Sequence, residues 1–252
     1  DRISEHKTKA MATMLENSMN ETQILQFWQR LSDDYFARFK PAQIAWHANL
    51  ILAAHPMTDD FLQVGTSADT SKAGAELIVY GKDRPMMFAQ IASVLDSRNC
   101  SIHDAQIMRT QDGFMFDSFT IFEHNGDRIT SESRLGSLRE AVETQLNKPG
   151  EEHINRRKMS RRMKQLDVKT KVRFYPSQTN VTMVELEALD APGLLANISE
   201  QFIALNFKLH QAKISTIGER AEDLFIVSNE FDLTLTQGEQ VQLKKRLSEA
   251  LD

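Results

Sequence analysis

Apolar residues recur at helical spacing through the first fifty positions of the chain, and the period then changes. Asn20 and Gln23 cap a helix that carries Ile24, Phe27, Trp28, Leu31, Tyr35 and Phe39. Pro41 starts a second helix with Ile44, His47, Ala48 and Ile51, stopped by Pro56. Residues 1–19 also carry apolar positions at helical spacing. Further on, 76–80 and 181–189 alternate or run apolar, as strands do. After each comes Asp-x-Pro, then a helical stripe: Met87, Phe88, Ile91 and Leu95 in one case, Leu194, Leu195, Ile198, Phe202 and Leu205 in the other. Asn99 and Asn206 stand where a helix end needs a left-handed residue.

The two stretches are copies of one another. With an offset of 107, residues 83–107 share eight identities in 25 positions with their counterparts, including Asn99/Asn206, His103/His210, Ala105/Ala212 and Ile107/Ile214. One deletion then brings Thr110 and Asp117 level with Thr216 and Asp223. Two strands follow in each copy, 101–110 with 114–122 around Asp112-Gly113, and 208–216 with 222–229. A last helix closes each, through Leu135, Leu138, Val142 and Leu146, or through the Thr236/Glu239 capping box ahead of Leu243, Leu247 and Leu251.

Each copy is therefore β-α-β-β-α, one strand short of a ferredoxin-like module. An upstream strand supplies the missing edge: 169–175 before 181 across Pro176-Ser177-Gln178, and 61–66 before 76. The expected fold is α+β, with two permuted ferredoxin-like modules. Each is an antiparallel sheet with two helices on one face, and a short helical segment precedes the pair. The domain plan is a helical segment at 1–57, a module at 58–148, a basic linker at 149–166 and a module at 167–252. The linker holds Arg156, Arg157, Lys158, Arg161, Arg162 and Lys164 with no acid among them, and reads as a solvated connection.

Composition narrows the class. The 252 residues carry a net charge of -5, and a pI near 5.8 argues against a general nucleic-acid binder. No apolar run is long enough to span a membrane. A single cysteine, Cys100, excludes an internal disulfide and any multi-cysteine metal site, and fits a cytoplasmic location. The first residues lack a secretion signal and an initiator Met, so a piece of a longer chain is expected.

The Asp-x-Pro-x-x-Phe/Leu junction in this frame resembles the ACT domain, a regulatory module that commonly senses amino acids in metabolic enzymes. The match sharpens with Asp83-Arg84-Pro85, His103-Asp104-Ala105-Gln106-Ile107 and the run 216–225, Thr-Ile-Gly-Glu-Arg-Ala-Glu-Asp-Leu-Phe. These resemble the C-terminal end of the bacterial bifunctional PII uridylyltransferase/uridylyl-removing enzymes. Asp34-Tyr35-Phe36 and Gln43-Ile44-Ala45-Trp46-His47 resemble the helical segment before their ACT pair. The resemblance implies a parent enzyme that moves UMP from UTP to the PII signalling protein and removes it again, under glutamine control. It also implies Mg2+ or Mn2+ in the parent enzyme and no cofactor in this chain. The chain shows no Gly-Ser motif followed by paired metal-binding aspartates, so no catalytic residue is expected in it. One alternative is a free-standing tandem module that binds amino acids or protein partners; another keeps the enzyme and changes the effector.

A helix N-terminus offers unsatisfied N–H groups and partial positive charge to a carboxylate. ACT domains hold their ligand at this loop and at the start of the next strand. The resemblance thus assigns Asp83, Arg84, Met86, Met87, Asn99, Cys100 and Ser101 in the first copy. Asp190, Ala191, Gly193, Leu194, Asn206, Phe207 and Lys208 are the equivalents in the second. Met86 stands where the second copy has Gly193, which permits close approach of a ligand to the backbone. Arg84, opposite Ala191, offers a guanidinium to a ligand carboxylate or a partner chain. His103-Asp104 has no accompanying His/Asp cluster, and alternation places His103 and His210 beneath the helices with Ala105/Ile107 and Ala212/Ile214. His47, Trp28, Trp46, the methionines and Cys100 read as core residues.

Overall fold

Five of the eight described α-helices begin where the chain supplies a side-chain acceptor or a proline. A computed structural model describes residues 1–54, 62–68, 74–148 and 159–252. Helix α1 (Arg2–Glu16) is capped by Asp1, whose carboxylate accepts from the Ile3 N–H at 3.2 Å. Helix α2 (Glu21–Trp28) is capped by Asn20, which accepts from the Gln23 N–H at 3.1 Å. The stripe expected as one helix from Ile24 to Phe39 breaks after Trp28, and α3 (Asp33–Arg38) starts afresh. Ser32-Asp33-Asp34 explains the break, because acidic residues favour a helix N-terminus over a helix interior. Helix α4 (Pro41–Ala53) opens on its proline, and the Lys40 N–H donates to Gln43 Oε1 at 3.1 Å. The stop assigned to Pro56 lies outside the described residues.

The strands and later helices follow as β1 (Leu62–Ser67), β2 (Ala75–Lys82), α5 (Met87–Ser97), β3 (Cys100–Arg109), β4 (Phe114–Glu123) and α6 (Glu132–Leu146). Then come β5 (Lys171–Pro176), β6 (Thr182–Leu189), α7 (Leu194–Ala204), β7 (Lys208–Lys213), β8 (Thr216–Ile217), β9 (Arg220–Ser228) and α8 (Gln237–Leu251). Among the described residues the sheet runs β1-β2-β4-β3-β7-β9-β6-β5, with β8 on β9. In the second copy β5 pairs antiparallel with β6 across the 176–182 hairpin, and β6 and β7 both pair antiparallel with β9. The fold is thus the expected pair of permuted ferredoxin-like modules, with β1 and β5 as the added edges. Phe61 and Arg156, Arg157 and Lys158 of the basic run lie outside the described residues; Arg161, Arg162 and Lys164 are exposed.

The chain divides into two compact units. The first comprises Asp1–Gly65, Ile78–Asp83 and Met108–Asp117. Its core joins the four helices to strand residues of the first copy: Ile24, Phe27, Tyr35, Phe36, Phe39 and Ile44 pack with Tyr80, Phe114 and Phe116. The aromatic rings meet edge-on, Tyr35 to Phe116 at 5.4 Å and Phe27 to Tyr80 at 5.9 Å. His47 is fully buried, with its Nδ1 2.8 Å from the Tyr35 hydroxyl, as a core histidine should be.

The second unit comprises Thr66–Leu77, Arg84–Ile107 and Ser118–Asp252. Here β3 of one copy pairs antiparallel with β7 of the other, Ala105 opposite Ala212, and the Ile214 N–H donates to the His103 carbonyl at 3.0 Å. Asn99 and Asn206 take φ of 56° and 57°, the left-handed turn expected of them. The face assigned to the histidines needs correction. The register of β7 against β9 shifts between Leu209 and Gln211, so Leu209 and Ala212 are buried while His210 is only partly so. Burial in β3 slips likewise, from Ile102 to Ala105, leaving His103 exposed and stacked on Phe122 at 4.1 Å.

Candidate functional site

The second Asp-x-Pro junction opens a cavity of about 530 Å³. Strand β6 ends at Leu189, and the Asp190 N–H donates to the Glu219 carbonyl at 3.0 Å, which ties the loop to the β8–β9 turn. Gly193 caps α7 with φ of 78°, a conformation that any side chain would strain. The Leu194 N–H donates to the Ala191 carbonyl at 3.1 Å, and Asn197 N–H to the Gly193 carbonyl at 3.0 Å. The start of α7 and its positive dipole end therefore form one wall.

The other walls come from both copies. Ser215, Thr216 and Asp223 belong to the second, and Asp96, Cys100, Ser101, His103 and His124 to the first. Antiparallel pairing of β3 with β7 explains the mixture: it sets the start of β3 beside the end of β7. All of these residues lie in the second unit.

Two carboxylates dominate the electrostatics. Asp223 is 1% exposed; one oxygen accepts from the Ser215 N–H at 3.3 Å, while Oδ2 is buried without a hydrogen-bond partner. Burial pushes its pKa up to about 7, the Ser215 N–H opposes the rise, and the charge of Asp190 adds to it. Asp190 is also raised, first by burial and then by Asp96, against the pull of His124 and a Thr216 hydrogen bond. Partial burial lowers the pKa of His103. Burial pushes the Cys100 thiol up to about 12, so it is no nucleophile at neutral pH.

The residues assigned to the two junctions separate in the structure. Cys100 and Ser101 of the first copy meet Asp190, Ala191, Gly193 and Leu194 of the second around one cavity, so the grouping runs across the copies. Asn206, Phe207 and Lys208 are not on its walls: Asn206 makes its turn, Phe207 is buried, and Lys208 pairs with Asp232 at 2.9 Å. At the first junction, Asp83 pairs with Arg109 at 3.3 Å and its N–H donates to the Gly113 carbonyl at 2.9 Å. Arg84 Nη1 donates to the Leu146 carbonyl at 2.9 Å, at the end of α6. Met86 precedes α5 without a side-chain cap, Met87 is fully buried, and Asn99 makes its turn. Asp96, His124, Ser215, Thr216 and Asp223 were not among the assigned residues; only the Thr110/Thr216 and Asp117/Asp223 matches between copies pointed toward two of them.

Among the described residues no three of His, Cys, Asp and Glu converge to hold a metal ion, and no helix is long and apolar enough to cross a membrane. Residues 1–50 match the family model of the uridylyltransferase GlnD fifth domain. The chain is 36% identical over 97% of its length to the bifunctional uridylyltransferase/uridylyl-removing enzyme of Aliivibrio fischeri. It is 39% identical to the enzymes of the same name from Photobacterium profundum, over 98% of its length, and Pasteurella multocida, over 100%. It covers 28%, 28% and 29% of those three relatives, and so spans well under a third of their length.

Proposed function

We propose, from the premise that this chain belongs to the bifunctional uridylyltransferase/uridylyl-removing enzyme family as its C-terminal region, that it is the family's glutamine-sensing regulatory region. The observation that carries this reading is the cavity at Asp190, where a left-handed glycine brings the start of α7 to the wall beside two raised carboxylates. A free amino acid has one anionic and one cationic end, and its carboxylate suits the N–H groups of a helix N-terminus. The surrounding Ser101, Ser215 and Thr216 offer hydroxyls to a neutral polar side chain such as a carboxamide.

The catalytic work falls to the parts of the parent enzyme that this chain does not span. There UMP passes from UTP to PII and is removed again, in the cytoplasm, with Mg2+ or Mn2+ at the transferase centre. No step in this chain runs through a metal. Its part is a coupling: glutamine binds the uridylyl-removing state better than the transferring state, by about 1–3 kcal/mol if the coupling is of ordinary size. Occupancy then shifts the enzyme toward removal, and an empty site toward transfer.

Isothermal titration with glutamine, with glutamate and leucine as controls, tests the reading on the full-length enzyme and on this chain. Saturable heat with glutamine alone, lost in Asp190→Ala, is expected. A flat glutamine titration of folded full-length protein would sink it.

A further inference from the structure

The two copies carry the same pair of acids and differ in what lies against it. In the first, the Arg109 guanidinium holds Asp83 at 3.3 Å, and its charge also reaches Asp117, whose two carboxyl oxygens are buried without hydrogen-bond partners. The one-residue deletion that aligns Thr110 with Thr216 places Ser215 at the position of Arg109. In the second copy, therefore, the acids Asp190 and Asp223 have no arginine between them. They have the cavity instead, and Asp223, one of its lining residues, has its Oδ2 buried and unpartnered. The walls contribute Asp96, Asp190, Asp223, His103 and His124, and among the described residues no lysine or arginine.

A buried carboxylate without a donor is costly, and a buried charge without a counter-charge more so. In the first copy an internal cation meets part of that cost, since Arg109 pairs with Asp83 and its charge reaches Asp117. The second leaves a space of the right character for one.

We propose that the ligand's ammonium group fills this space, bound between Asp190 and Asp223 where the first copy has the Arg109 guanidinium on Asp83, so that each chain takes up one amino acid, in the second copy. This rests on the amino-acid-sensing reading above and adds which end of the ligand the acids read, and how many ligands bind. An ammonium has three donors, which serve Asp223 Oδ2, an Asp190 oxygen and one further acceptor. The start of α7 on the same cavity is left to the ligand's carboxylate. The first junction takes no ligand because Arg109 already pairs with Asp83, the counterpart of Asp190.

The test is glutamine binding to the full-length enzyme by calorimetry and equilibrium dialysis, with wild type, Ser215→Arg, Asp223→Asn and Arg109→Ser compared. Wild type should bind one glutamine per chain. Ser215→Arg, which supplies the missing guanidinium, should lose binding, and Asp223→Asn should weaken it by about 10-fold or more, as expected for a lost charged hydrogen bond. Arg109→Ser should leave the site in the second copy within about 2-fold, since the substitution lies outside that site. 4-Carbamoylbutanoate, which is glutamine without its amine, should not compete, while 4-aminobutanamide, which keeps the amine, should.

Because Ser215→Arg adds bulk, thermal melting must show it folded, and the near-isosteric Asp223→Asn carries the test if it is not. Glutamine bound with wild-type affinity by Asp223→Asn, competition by the amine-free analogue, or two glutamines per chain would overturn the proposal while leaving glutamine sensing in place. If glutamine fails and another amine-bearing amino acid binds, with loss in Ser215→Arg, the glutamine reading falls and the ammonium site stands. If no amine-bearing amino acid binds, both fall.

Discussion

The two Asp-x-Pro junctions share a backbone plan and part company at three side chains. Both follow a strand, both open a helix, and both have a buried aspartate on a nearby strand, Asp117 or Asp223. In the first copy Arg84 reaches a helix end, Met86 fills the glycine position, and Arg109 pairs with Asp83. In the second copy Ala191, Gly193 and Ser215 stand at those places, and a cavity opens. The difference teaches that duplication preserved the frame of the junction while its side chains diverged, small residues lining a cavity in the second copy and long ones standing at the same places in the first.

The largest expected effect comes from removing the strained acid of the open copy. Asp223 titrates at about 7 in the folded chain, against an ordinary value of 3.8, because it is buried beside Asp190 with only the Ser215 N–H to offset the cost. Between those two pH values the folded state keeps a proton that the unfolded chain has released. Its contribution to stability is therefore fully present at low pH and lost as pH rises toward 7. Asp223→Asn has no such proton, so it should match wild type near pH 4 and exceed it by up to about 4 kcal/mol near pH 8. Denaturant unfolding across that range checks this, and parallel pH profiles would break it. The same variant should bind glutamine more weakly, a stability gain set against function. Asp117→Asn should move in the same direction, since burial raises that acid too, but without touching glutamine affinity.

The sequence made the frame legible and the site only in part. Caps at Asn20 and Thr236, left-handed Asn99 and Asn206, and the two supplementary strands could all be read because each rests on chemistry within a few residues. The break at Ser32-Asp33-Asp34 was also local, but the continuing apolar stripe concealed it. The histidines were misplaced because period-two reasoning assumes an unbroken ladder, and the shift at Leu209/Gln211 breaks it. The crossed grouping of Cys100 and Ser101 with Asp190 and Gly193 depends on which strands pair between the copies, and no local pattern encodes that choice. Arg109 and Ser215 matter only through that tertiary arrangement, so neither stood out in the chain.

Exchanging the glycine position sharpens the comparison with a smaller effect. Gly193 sits at φ of 78°, whereas Met86 takes φ of -90°. Gly193→Ala should cost about 1 kcal/mol of stability and lower glutamine affinity, since the left-handed turn that sets the start of α7 is strained by a Cβ. Met86→Gly should cost about 0.5 kcal/mol through added freedom of the unfolded chain, and should create no second binding site. Equal losses from the two exchanges would mean that the junctions do not differ in backbone demand. Unfolding and titration of the same preparations give both numbers.

The smallest effect tests whether the first junction is closed to ligand. Arg84 is an exposed residue, yet its guanidinium donates to the Leu146 carbonyl at the last turn of α6, where a cation also favours the helix dipole. This gives Arg84 a structural partner within its own copy. Arg84→Ala should therefore lower stability by about 0.5–1 kcal/mol, the worth of one capping interaction, and Arg84→Lys should recover part of it. Glutamine affinity should stay within about 2-fold in both, because the substitution lies outside the Asp190 cavity. A loss of affinity in Arg84→Ala with stability unchanged would put Arg84 on the ligand, open the first junction, and end the asymmetry drawn between the copies.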